Sequence, residues 1–300
     1  MALIHHRRQS KGGSRMVTDE QFERVAENVF SQHKRVWKPG TLAVNRSHLN
    51  NQILPWFRGR PIADITATDV RRWFASLHST PAAANRSLPV LSRIMRQAEM
   101  SGLRPENSNP CRGIRRFPQI RKERFLTLEE TRRLGAAFDA LETDSPLAVA
   151  VILLLALTGC RQSEIRTLDW RDYREGHLFL RDSKTGPRTV WLSSAAREVL
   201  EHLPQTCRWI FPAQHGKRPL SVHALYRCWE AIRLQADLGR LRLHDLRHSY
   251  ASFALRQGET ILTIGRLLGH RDPETTLRYT HFGDAMAQRA VEAVGAIVGA

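Results

Sequence analysis

Over the first hundred positions the apolar residues recur at helical spacing. In "TDEQFERVAENVF", Phe22, Val25, Ala26, Val29 and Phe30 fall at i, i+3, i+4, i+7 and i+8, one stripe of an amphipathic helix. Thr18 and Gln21, just ahead of it, have the spacing of a capping box. A second helix is expected over 41–54 on Leu42, Leu49 and Ile53. A third begins near Thr66, with Asp69 as capping-box partner and Val70, Trp73, Phe74 and Leu77 inward. A fourth spans 81–101, where Pro89 should break or kink it and Gly102 should end it. The pattern predicts an all-helical first module.

A second module opens at Thr127, which forms a capping box with Glu130 ahead of Leu134, Phe138 and Leu141. "LAVAVILLLAL" (147–157) follows Pro146 and is apolar all round, a buried helix too short to span a bilayer. "HLFLRDSKTGPRTVWLS" (177–193) predicts strand, turn, strand, with Lys184-Thr185-Gly186-Pro187 at the turn. Helices are expected around 194–203, 221–236, 245–257, 260–268 and 273–281. The predicted class is mainly α with a small β-sheet. Between the modules, 104–124 has three prolines and seven Lys/Arg without a period, and is expected to be an extended basic linker.

Charge sharpens this division. The 300 residues carry 46 Lys/Arg against 29 Asp/Glu, a net +17, with a sequence pI near 10.9. Such a balance points to a polyanionic partner, above all nucleic acid. Residues 1–122 hold 22 basic and 8 acidic side chains, 22 − 8 = +14, whereas 123–300 hold 24 and 21, 24 − 21 = +3. A basic, DNA-gripping module joined to a nearly neutral one is the simplest account. "HHRRQSKGGSR" (5–15) predicts a basic flexible tail and lacks the apolar stretch of a signal peptide. Cys111, Cys160, Cys207 and Cys228 form no C-x-x-C pair, which suits a reduced, cytoplasmic protein.

Candidate chemistry centres on "LRLHDLRHSYA" (241–251). His244 and His248 are four apart, the spacing that sets two metal ligands on one helix face, and Asp245 follows the first as Glu does in H-E-x-x-H. Arg247 argues against zinc, because it would set a permanent cation beside the metal. "TGCRQSEI" places Arg161 at a Thr-Gly break after the buried helix, and the hairpin turn offers Lys184. "LLGHRDPETTLRYTH" supplies His270 and Tyr279, with Asp272 and Pro273 as N-cap and first residue of a short helix. Taken singly, each of these residues has a plain structural use.

As an ordered set the same segments resemble the tyrosine recombinase (phage integrase) family. The resemblance covers 123–285 at the level of motifs and extends more loosely to the helical N-terminal module, which is similar to the family's core-site-binding domain. Arg161, Lys184, His244, Arg247, His270 and Tyr279 match the six active-site positions in order, and Glu164 matches a common acidic position that buttresses the site. The resemblance implies a two-domain DNA clamp. Its parts would be the tail 1–15, a helical core-site DNA-binding domain 16–103, the basic linker 104–124, and a mixed α+β catalytic domain 125–300 ending in an exchange helix.

It also implies the chemistry: cleavage of double-stranded DNA recombination sites by Tyr279, through a 3′-phosphotyrosyl bond and a Holliday junction. Two guanidiniums, from Arg161 and Arg247, would stabilise the pentacoordinate phosphorus in place of metal ions, so no metal, cofactor or ATP is expected. Lys184 would protonate the departing 5′-oxygen, and His244 and His270 would add hydrogen bonds, His244 also as an acid/base candidate. His248 is then a helix-packing residue. A homotetramer on DNA is expected, with accessory DNA-bending proteins as further partners. In "AMAQRAVEAVGAIVGA", Ala290, Val291, Val294, Ile297 and Val298 form an apolar stripe suited to docking into a neighbouring subunit. The expected role is integration or excision of a mobile element by a cytoplasmic, nucleoid-associated enzyme. A type IB topoisomerase is the nearest competing enzyme, and a DNA-binding regulator that kept the fold without activity is the competitor from another class.

Overall fold

A computed structural model of the chain describes residues 20–119, 124–181, 183, 186–272, 274–277 and 291. It divides into two compact units, Met1–Arg121 and Lys122–Ala300.

The first unit is helical: α1 (Phe22–His33), α2 (Pro39–His48), α3 (Leu54–Phe57), α4 (Ala67–Ser76) and α5 (Pro81–Met100). Its core is built from the predicted stripes, with Phe22, Phe30, Ile53, Phe57, Trp73 and Leu91 almost wholly buried. Both halves of the Thr66–Asp69 capping box form at the start of α4. α1, by contrast, begins at Phe22 with Gln21 as its N-cap and no side-chain cap. Gln21 is held extended by a bridge to Pro61, so it cannot serve as the third helical residue of a box begun at Thr18, a position outside the described residues.

Two prolines explain where the helices depart from expectation. The single helix expected over 41–54 is instead α2, a π-helical turn at Leu49–Ile53, and α3. Pro55 has no N–H to donate back up the helix, and the chain enters α3 through this wider turn. The buried indole of Trp73 donates to the carbonyl of Gln52 in that turn, at 2.7 Å. Pro89 does not break α5, which runs from Pro81 to Met100 with the proline inside it. An interior proline costs about 3 kcal/mol. Burial of Leu88, Val90, Leu91, Ile94 and Met95 on both sides of it contributes roughly 1.5–3 kcal/mol each and outweighs that cost.

Residues 104–119 contain no helix or strand but are pinned to the helices of the first unit. The buried Arg104 donates to the carbonyls of Ile62, Ala63 and Ser108. Asn85 holds both the N–H and the carbonyl of Phe117, at 3.0 and 2.8 Å, and the Phe117 ring stacks on Phe74 at 4.8 Å.

The second unit is organised around one helix. It contains α6 (Leu128–Leu141), α7 (Pro146–Thr158), α8 (Gln162–Arg166), β1 (Tyr173–Arg174), β2 (His177–Leu180) and β3 (Arg188–Trp191). α9 (Ser194–Glu201), α10 (Val222–Gln235), α11 (Asp245–Arg256), α12 (Ile261–Leu268) and α13 (Glu274–Leu277) follow. α7 is apolar on every face and accordingly touches α6, α8, α9, α10 and α11, with Val151, Ile152 and Leu154 fully buried. The strands form an antiparallel meander in the order β1-β2-β3. Leu178 pairs with Val190 on its inner face, while Phe179 and Trp191 stand exposed on the outer one. The two-residue β1 was too short to leave a pattern in the sequence. The Thr127–Glu130 capping box forms as predicted. Among the described residues no helix is long and apolar enough to cross a membrane.

Candidate active site

α7 ends at Gly159, which takes the left-handed conformation (φ +62°). Space as well as backbone demands glycine there, since a Cβ would lie 2.7 Å from Tyr250 Cδ1 and 2.8 Å from Leu268 Cδ2. The chain then turns through buried Cys160 to Arg161, the extended N-cap of α8 (φ −76°, ψ 147°). Glu164 reaches back to this cap. One carboxylate oxygen accepts from the Arg161 backbone N–H at 2.8 Å and the other from Arg161 Nη1 at 2.8 Å. The first oxygen also accepts from Arg188 Nη2 at 2.9 Å, so two guanidiniums share one buried carboxylate. Burial would push the Glu164 carboxyl upward, but the Arg161 N–H and the Arg188 charge prevail and hold it below the usual range.

Arg247 lies in the first turn of α11 and is 4% exposed. Its Nη1 donates to the carbonyl of Gly159 at 2.8 Å and its Nη2 to that of Leu268 at 2.7 Å. These carbonyls belong to the C-terminal ends of α7 and α12, where the unpaired acceptors and the helix dipoles favour a cation. Burial pushes the Arg247 guanidinium down to about 10, with the nearby positive charge of Arg161 adding to the effect. It stays protonated at neutral pH. His244, the N-cap of α11, is lowered below its ordinary value first by burial and then by Arg247, with Arg161 also contributing. Arg161, His244 and Arg247 thus share one electrostatic field.

α12 ends at Gly269, again left-handed (φ +64°), and a Cβ there would meet Arg188 Cδ at 2.4 Å. His270 follows immediately. Its Nδ1 is 2.8 Å from the hydroxyl of Thr276 in α13, a buried residue that fixes the ring. Asp245, the first residue of α11, is buried and paired with Arg242 at 2.6 Å.

The structure therefore brings Arg161, His244 and Arg247 together with Glu164, and sets His270 on the turn whose preceding carbonyl holds Arg247. Lys184 and Tyr279 lie outside the described residues, as does the C-terminal stripe apart from Val291. His248 is buried, its ring edge-on to Phe125 (6.4 Å) and to His244 (5.1 Å), a packing position. Among the described residues no group of three or more His, Cys, Asp or Glu side chains is placed to hold a metal ion. All four cysteines are unpaired. Sequence reasoning missed Arg188, which the pattern of the hairpin marked only as a strand residue. It also missed Ser249, whose hydroxyl accepts from the Leu126 N–H at 2.9 Å and donates to the Asp245 carbonyl.

Comparison with known proteins identifies the family. The phage integrase family model matches residues 124–286, and the phage integrase central domain model matches residues 22–116. The prophage phiRv2 integrase of Mycobacterium tuberculosis is 31% identical over 285 residues, covering 84% of this chain and 74% of that protein. Tyrosine recombinase XerC of Pseudomonas fluorescens is 28% identical, covering 88% and 91%. Among solved structures, a lambda integrase dimer bound to a COC′ core site superposes with a TM-score of 0.72 at 20% identity, covering 86% of this chain and 94% of that one. A lambda integrase tetramer bound to a Holliday junction gives 0.72 over 89% and 82%. The likeness to these two structures speaks to the fold. The family match over more than half the chain goes further: the chain belongs to the phage integrase family and is a tyrosine-type recombinase, an enzyme that cuts and rejoins DNA.

Proposed function

We propose that this recombinase acts at specific sites to integrate or excise a mobile element, through a 3′-phosphotyrosyl intermediate and a Holliday junction. The observation that carries the proposal is the anchoring of Arg247. Its two carbonyl contacts fix the plane of a buried, permanently charged guanidinium beside Arg161. Such a pre-set pair of cations suits a phosphodiester in transition, where charge grows on the non-bridging oxygens. Arg161 and Arg247 fork those oxygens, and His270 adds a hydrogen bond. His244, kept neutral by its surroundings, can take or give a proton. Tyr279 attacks phosphorus, and Lys184 protonates the leaving 5′-oxygen. The ester retains the energy of the broken bond, so the 5′-hydroxyl of the partner strand can reseal it without ATP. The arginines supply the charge that metal ions provide elsewhere, so the reaction runs in chelator.

The basic first unit grips the core site, and four protomers assemble on paired sites, as the Holliday junction tetramer of lambda integrase does. The decisive experiment incubates the full chain, in EDTA, with a pool of nicked duplexes carrying randomised cores. A nick just downstream of the cleavage point lets the short fragment that bears the new 5′-hydroxyl diffuse away and traps the protein on DNA. A covalent adduct is expected with the wild type and not with Tyr279→Phe, and sequencing the trapped DNA reads out the site. An undiminished adduct in Tyr279→Phe, or cleavage that requires an added metal ion, overturns the proposal.

A further inference from the structure

Arg188 opens β3, four positions after Lys184 in sequence, and its side chain is only 10% exposed. It reaches three separate segments. Nη2 donates to Glu164 at 2.9 Å and lies 3.4 Å from Cys160 Sγ, while Nη1 donates to the carbonyl of Leu267 at 3.1 Å. The turn through Gly269 lies flush against its methylene stem, so close that only a glycine fits. One buried guanidinium therefore binds the segment that carries Arg161 to the segment that carries His270, from the base of the hairpin.

The charges matter as much as the geometry. Glu164 faces Arg161 and Arg188 together, so two guanidiniums against one carboxylate leave one net positive charge. Without Arg188, Arg161 would be the only guanidinium in direct contact with the carboxylate among the described residues, Arg247 acting on it from further off. Arg161 and Glu164 would form a neutral pair, and the charge of Arg161 would be drawn towards the carboxylate and offset.

We propose that Arg188 is a positioning residue of the recombination site. By sharing Glu164 it keeps Arg161 charged and aimed at the scissile phosphate, and by holding Leu267 and Gly269 it sets the turn that presents His270. The inference rests on the reading of Arg161 as a phosphate-binding group.

The test uses the full chain and the nicked duplex recovered from the trapping pool, prepared in two forms. One has an ordinary scissile phosphate. The other has a methylphosphonate there, which carries no charge. Arg188→Met should bind the duplex with unchanged affinity but form adduct on the order of 10- to 100-fold more slowly, the scale of losing a group that orients another. Arg188→Lys should fall between. On the methylphosphonate the defect of Arg188→Met should shrink markedly, because a neutral centre asks less of the charge on Arg161. Adding Glu164→Gln to Arg188→Met should recover part of the loss, because Arg161 is released from the carboxylate.

Wild-type speed in Arg188→Met overturns the inference, as does an equal defect on both substrates accompanied by a lowered melting temperature. A double variant as slow as the product of its singles also overturns it. Absence of any adduct from the wild type overturns the underlying reading of the site, an outcome separate from these.

Discussion

Arg247 Nη1 donates to the carbonyl of Gly159 at 2.8 Å, across 88 residues of sequence, and this bond ties helix α11 to the left-handed end of α7. Gly159→Ala should disturb both partners. The added methyl would meet Tyr250 and Leu268 below 3 Å, on a backbone conformation that disfavours L side chains. Left-handed strain of about 1–2 kcal/mol and overpacking of about 1–3 kcal/mol should appear together as reduced stability in urea unfolding. Adduct formation should fall as well, because the carbonyl that orients Arg247 moves. A variant with wild-type stability and rate would mean that Gly159 is dispensable to the site.

Lys184→Ala should slow cleavage by about 10²- to 10⁴-fold if Lys184 is the general acid. Replacing the bridging 5′-oxygen with sulfur makes the leaving group a thiolate, whose acid has a pKa of about 8.5. The variant should then regain most of its rate. Arg161→Ala should not, since the non-bridging oxygens it serves are unchanged. Equal rescue of both variants, or of neither, would assign the acid elsewhere.

Acid should weaken the second unit through Glu130. The hydrogen bond from Arg124 holds its carboxyl down to about 2, against an ordinary 4.5, while the same side chain completes the capping box of α6. A depressed carboxyl stabilises the fold above its unfolded value. Its contribution is complete above about pH 4.5 and is lost as pH falls from there towards 2. Glu130→Gln should therefore be less stable than wild type at pH 7, with the difference narrowing towards pH 2. A constant difference across that window would refute the assignment. Thr127→Ala, which removes the other half of the box, should cost about 1 kcal/mol at pH 7.

The division of charge predicts a division of labour. Removing 1–121 takes away most of the net +17 and leaves a unit with its own core around α7. The remaining 122–300 should fold, bind the trapped duplex more weakly, and show a shallower fall of log K with log salt. Equal slopes for fragment and full chain would mean that the first unit does not carry the phosphate contacts.

What the sequence revealed and what it hid follow from the range of the interactions. Capping boxes at Thr66 and Thr127, the stripe of α1 and the strands at 177–180 and 188–191 rest on neighbours a few residues apart, and all were legible. The ordered motifs singled out Arg161, His244 and Arg247, which the structure brings into one electrostatic neighbourhood, because their types and order recur in a family. Arg188 escaped because its partners, Glu164 and Leu267, are 24 and 79 residues away, and nothing local marks a strand arginine as buried. The π-helical turn before Pro55 and the continuity of α5 through Pro89 were settled by tertiary packing, which local propensity does not encode. Phe117 is similar: its stacking on Phe74 depends on a fold already made.

The mooring of Arg247 has a consequence for how this enzyme fails. Its two acceptors are the end of α7, which packs against five other helices, and the end of α12, so neither can be vacated by a local fluctuation without stranding a buried cation. The guanidinium is thereby expected to belong to a cooperative, slowly exchanging block of the domain rather than to a loop that opens by itself. Partial inactivation by heat or denaturant, with the fold intact, has no route through Arg247: as denaturant rises, cleavage and the tertiary signal of the second unit should disappear at one midpoint.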